Sequence, residues 1–106
     1  MANSKPLKFP DAFSLKGEHV LITGGGTGIG LAVAQAMHEA GARVVLVGRR
    51  EAELAAAVKS LGDRASYAVH DITQYSQAPA LIAKITKENG PITCLVNNAG
   101  MHLKKP

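Results

Sequence analysis

"LITGGGTGIGLAV", residues 21–33, sets five glycines between Gly24 and Gly30 and then turns apolar and helix-like. Glycine loses more backbone freedom on folding than any other residue, so a cluster of it needs a compensating use. The usual use is close approach of the backbone to a ligand. The run just before, "HVLIT" at 19–23, reads as a strand buried on both faces. The cluster therefore sits where a strand hands over to a helix.

Working outward, the alternation continues. Residues 28–40 read as a helix closed by Gly41. "RVVLVG" at 43–48 is β-branched and unalternating, a second buried strand. Residues 51–61 place Leu54, Val58 and Leu61 at helical spacing, and Gly62 stops them. "SYAVH" at 66–70 is a weaker strand. Residues 77–89 carry Leu81, Ile82 and Ile85 on one face, with Gly90 and Pro91 as stop signals. Pro79 is tolerable there if Ser76 is the cap and the proline lies in the first turn. "TCLVN" at 93–97 is a last buried strand. Strands alternating with helices over short connections predict an α/β fold, a doubly wound parallel sheet with helices on both faces and strand order 3-2-1-4.

The chain has 106 residues, enough for one modest domain. At 46% hydrophobic and 19% charged, its composition is that of an ordinary globular protein. No apolar run approaches the ~20 residues of a membrane helix, and "MANSKPLKFPDAF" lacks a signal-peptide core. Residues 1–17, with Pro6 and Pro10 as breakers, read as an N-terminal arm ahead of the domain at 18–106. Cys94 is the sole cysteine, which excludes an internal disulfide and suits a reducing cytoplasm. The net charge of +4 gathers in lysines near the two ends, with only 4% aromatics. That argues against a nucleic-acid surface and leaves room for an anionic small ligand. Neither a membrane partner nor a metal site is expected.

The glycine spacing is G-x-x-x-G-x-G at Gly24, Gly28 and Gly30, not the G-x-G-x-x-G of many dinucleotide sites, but the same physics applies. Gly24 permits the tight turn out of the strand. Gly28 removes a side chain where backbone meets a pyrophosphate, and Gly30 lets the helix pack closely. A P-loop is excluded because no G-K-[ST] follows, and no G-x-S-x-G elbow is present.

With "TGGGTGIG" at 23–30, "HDIT" at 70–73 and "NNAG" at 97–100, each at the end of a strand, the chain resembles the short-chain dehydrogenases/reductases in their single-domain branch. That resemblance implies a Rossmann-type sheet and hydride transfer between a nicotinamide cofactor and a carbonyl or alcohol substrate. It implies that Gly24, Gly26, Thr27, Gly28, Ile29 and Gly30 form the pyrophosphate turn. Asp71 and the backbone of Ile72 would meet the adenine; Asn97, Ala99 and Gly100 would line the ribose and nicotinamide side. Asn97 and Asn98 could equally serve to tie neighbouring strands together.

An NAD-selective site keeps an acid at the end of the second strand. Here "VLVGRRE" puts Gly48 in that place, followed by Arg49 and Arg50, so NADP is expected over NAD, with Arg49 as the phosphate ligand. Thr27 offers only a hydroxyl where NADP-preferring relatives often carry a second basic residue. Glu51 could reach the ribose instead, or simply begin the next helix. The family's Tyr-x-x-x-Lys is missing: Tyr67 is followed by Asp71 and Tyr75 by Pro79 at the fourth place. No catalytic residue is therefore assigned in this chain. His102 reads as incidental and Cys94 as packing. The expectation is the cofactor-binding half of a longer, homo-oligomeric enzyme, cut after strand four. The alternatives are a binding module without catalysis or another doubly wound enzyme such as a methyltransferase.

Overall fold

The computed structural model describes residues 14–26, 28–71 and 74–98. Eight elements follow one another: β1 (His19–Thr23), α1 (Gly28–Glu39), β2 (Arg43–Gly48), α2 (Glu51–Leu61), β3 (Ala65–Val69), a 3₁₀ turn (Tyr75–Gln77), α3 (Ala78–Asn89) and β4 (Cys94–Asn97). The four strands form one parallel sheet in the order β3-β2-β1-β4, as the alternation predicts.

Strand register sorts the side chains onto two faces. Val20 lies level with Val44 and Cys94, and Val44 with Ala65; one residue on, Leu21 lies level with Val45 and Leu95. The first face packs Val20, Ile22, Val44 and Leu46 against Ala34 of α1 and Leu54 and Ala57 of α2. The second packs Leu21, Val45 and Val47 against Ile85 of α3. β1 and β2 are buried on both faces, which is why their sequences run apolar without alternation.

Helix ends follow their glycines. Gly62 and Gly90 take φ of +90° and +95°, and each donates its N–H to the helix it closes, at Val58 O and Thr86 O. Arg64, itself at φ +70°, donates from Nη1 to the carbonyls of His38 and Ala42, satisfying oxygens left by the end of α1. A cavity of about 310 Å³ lies at this end of the sheet, lined among others by Lys16, His19, Arg43, Arg64 and Thr93.

Four details depart from expectation. β3 begins at Ala65 and ends at Val69, one residue early. The cap of α3 is Gln77 rather than Ser76, and Pro79 still falls in the first turn. Ile82 is 41% exposed, because Leu81 and Ile85, one turn apart, take the face toward the sheet. β4 is not uniformly buried: Leu95 is 64% exposed, since β4 has a strand neighbour only on the β1 side among the described residues.

Ile85 is the one residue of α3 that is buried. Ile85→Ala is expected to destabilise by about 2–5 kcal/mol, the range for truncating a buried aliphatic side chain; urea unfolding measures it.

Candidate functional site

The sequence motifs converge on the carboxyl ends of the strands. There the turn at 24–26 leaves β1, Arg49 and Arg50 leave β2, Asp71 follows β3, and Asn97 and Asn98 close β4. In an open α/β sheet a ligand binds at this edge, where the strand order reverses. With the order 3-2-1-4 the reversal lies between β1 and β4.

Side-chain bonds cross that reversal, among them a long one from Thr23 Oγ1 to the Val96 carbonyl at 3.5 Å. Thr23 Oγ1 donates to Asn97 Oδ1 at 3.1 Å, and Asn98 Nδ2 donates to the Gly24 carbonyl at 3.2 Å. Asn98 is 6% exposed. Asn97 thus ties β4 to the end of β1 and Asn98 ties it to the glycine turn, the structural one of the two roles expected for the asparagines.

The glycines divide by what a side chain would meet. At Gly30 an added Cβ would collide with the Gly24 carbonyl oxygen and lie 2.8 Å from Asn98 Nδ2. Here glycine is demanded by close packing of α1 onto the turn. At Gly28 the backbone is left-handed, φ +60°, and a Cβ would meet nothing within 4 Å. That glycine opens space at the start of α1, where the first amides and the positive end of the helix dipole attract an anion. Gly26 would make only ordinary contacts with Glu53 and Leu54. Ile29 is 66% exposed, so its side chain fills no core position. Gly25, which sequence reasoning passed over, is buried against β2: a Cβ would stand 2.7 Å from Leu46 Cδ2. Only its place in the glycine run hinted at this.

At the end of β2, Gly48 is backed by Leu54 of α2. Arg50 forms an exposed ion pair with Glu53, Nη1 to Oε2 3.0 Å. Glu51 begins α2 and accepts a hydrogen bond from Tyr67 Oη at 3.0 Å. That bond raises the Tyr67 phenol above its ordinary value, with burial and the charge of Glu51 acting in the same direction. Arg49 is exposed and makes no hydrogen bond or ion pair with any described residue. Asp71 is half-buried, and its carbonyl accepts from the Gln74 amide at 2.9 Å. Thr27, Ile72, Ala99 and Gly100 lie outside the described residues, as does His102. Among the described residues no group of three or more His, Cys, Asp or Glu could hold a metal ion, and no helix is long and apolar enough to cross a membrane.

Comparison with known proteins agrees with this geometry. The family model described as short chain dehydrogenase matches residues 18–106. Gluconate 5-dehydrogenase of Gluconobacter oxydans (strain 621H) is 40% identical over 103 residues, covering 94% of this chain and 40% of the relative. The NADP-dependent (R)-specific alcohol dehydrogenase of Lentilactobacillus kefiri is 39% identical over 93 residues, covering 86% of this chain and 37% of the relative. The crystal structure of L-sorbose reductase from Gluconobacter frateurii, complexed with NADPH and L-sorbose, superposes with a TM-score of 0.78 at 32% identity, covering 88% of this chain and 37% of that one. The chain thus spans about two fifths of the length of the curated relatives it matches.

Gly30→Ala is expected to cost about 1–3 kcal/mol, because the Gly24 carbonyl is backbone and must shift. Gly26→Ala is expected to stay within about 0.5 kcal/mol of the parent. Urea unfolding of the two variants side by side measures the difference.

Proposed function

The chain belongs to the short-chain dehydrogenase family, and on that premise we propose that it forms the cofactor-binding portion of an NADP-dependent oxidoreductase acting on a small-molecule carbonyl or alcohol. The observation that carries this reading is the end of β2. Gly48 stands where an NAD-selective fold places a carboxylate, and Arg49 follows with its guanidinium unpaired among the described residues. A carboxylate there would repel a 2′-phosphate, whereas a guanidinium binds one through paired charge-assisted hydrogen bonds.

The residues present fit such a cofactor. Gly28 leaves open space at the helix start, so Gly24, Gly26, Thr27, Gly28, Ile29 and Gly30 would hold the pyrophosphate on backbone amides. Asp71 and Ile72 would receive the adenine, and Asn97, Ala99 and Gly100 the ribose on the nicotinamide side. When bound, the dinucleotide would supply the hydride chemistry. This chain's own residues bind and orient it: Asn98 and Asn97 fix the turn against β4, and Arg49 selects the phosphorylated ribose. Proton transfer is not assigned to Tyr67 or Tyr75, since neither has a lysine four places on. The relative named as NADP-dependent and the neighbour solved with NADPH support the choice of cofactor.

Calorimetric titration of the purified protein is expected to show tighter binding of NADPH than of NADH. Arg49→Asp is expected to reverse the order, with a loss of roughly 1–3 kcal/mol for NADPH, the range for a hydrogen bond to a charged group. Equal affinities for both cofactors in the parent protein would overturn the reading.

A further inference from the structure

The junction between β2 and α2 carries two arginines and two glutamates within five residues, Arg49, Arg50, Glu51 and Glu53. In an exposed segment such charges can pair in several ways, and a carboxylate paired with Arg49 would neutralise it. The structure shows one arrangement. Glu53 is taken by Arg50 at 3.0 Å. Glu51 is taken from another strand altogether, by the Tyr67 hydroxyl at 3.0 Å across 16 residues of sequence. Arg49 is left with neither carboxylate.

Tyr67 is well placed to hold Glu51 there. It sits on β3 level with Leu46 of β2, and its ring packs against the core under α1 and α2. The hydroxyl is thus presented from a fixed base rather than from a mobile surface chain. A phenol ordinarily titrates at about 10, so the hydroxyl is a donor at neutral pH; the bond to Glu51 acts in the same direction.

We propose that Tyr67 is a positioning residue for cofactor selectivity, holding the Glu51 carboxylate away from Arg49 so that the guanidinium is kept for the 2′-phosphate. The inference rests on the reading that Arg49 meets that phosphate. Released, Glu51 would compete for Arg49 and repel the phosphate, and both effects fall on NADPH and not on NADH.

The test is calorimetric binding of NADPH and NADH to the purified parent, Tyr67→Phe, the double variant Tyr67→Phe/Glu51→Gln, and Arg49→Ala. Phenylalanine keeps the ring in the core and removes only the hydroxyl. NADPH affinity of Tyr67→Phe is expected to fall about threefold to tenfold, the change one hydrogen bond supports, with NADH affinity unchanged. The double variant is expected to regain NADPH affinity, because a neutral amide neither pairs with Arg49 nor repels phosphate. Raised salt should shrink the deficit of Tyr67→Phe. A parent that prefers NADPH, loses that preference in Arg49→Ala, and keeps it in Tyr67→Phe would overturn the proposal while leaving the cofactor reading intact. Equal weakening of both cofactors in Tyr67→Phe, without rescue by Glu51→Gln, would reduce Tyr67 to a structural role and overturn it too. A parent with no preference for NADPH overturns the reading and the proposal together.

Discussion

The close approach of Gly30 to the Gly24 carbonyl is the constraint on which the rest of this site depends. A helix that begins one turn after a strand can lie on the sheet only if its first turn comes nearly into contact with the loop it has just left. Any side chain at position 30 would occupy the place of the Gly24 oxygen and crowd Asn98. Because the contact is made without a side chain, the Gly24 carbonyl stays within reach of Asn98 Nδ2, and the end of β4 is joined to the start of α1. The junction of β1 and β4 is where the strand order reverses, so the same contact that seats the helix also frames the crevice. The open space at Gly28 has meaning only because Gly30 holds the helix start in place beside it.

Charge is arranged around that frame by pairing rather than by number. The β2–α2 junction has as many acids as arginines, and a count of charges would call it neutral. What distinguishes it is that Glu53 and Glu51 are both occupied, by Arg50 and by Tyr67. A surface ion pair such as Arg50–Glu53 contributes little to stability. Its effect here is to remove one competitor from the side of Arg49.

Much of this was legible in the sequence, and the parts that were not share a cause. The bounds of α2 and β2 follow directly from their apolar spacing and from Gly62 and Arg43. Alternation implies a parallel sheet, and the doubly wound topology supplies its order. Local signals of this kind act over a few residues. Ile82 and Leu95 are more exposed than their apolarity suggests, because their burial depends on what covers α3 and β4, and apolarity alone carries no such information. Ser76 is a good capping residue by type, but the chain makes a 3₁₀ turn through it and begins α3 after Gln77. The asparagine ties were foreseen only as one of two roles. The Tyr67–Glu51 bond has no local sign at all, since it joins β3 to the far end of the helix that precedes it, 16 residues back. Thr27, Ile72, Ala99 and Gly100, all read from motifs, lie outside the described residues.

The two ends of the sheet divide the work. At the amino-terminal ends of the strands the helices finish, exposing carbonyl oxygens and the negative end of each dipole. That end answers with caps: Arg64 on the carbonyls of His38 and Ala42, and the amides of Gly62 and Gly90 turned back onto α2 and α3. Arg64 there is therefore engaged with backbone. At the carboxyl-terminal ends the helices begin, so donors and positive potential face outward; of the two arginines after β2, Arg50 pairs with Glu53 and Arg49 engages no described residue. Polarity along a parallel sheet places every crossover helix the same way round, so carbonyl ends gather at one edge and helix starts, which favour an anion, at the other. The residue types at each edge agree with that division: the Arg64 guanidinium on backbone carbonyls at one, and glycines beside a guanidinium that pairs with no described residue at the other.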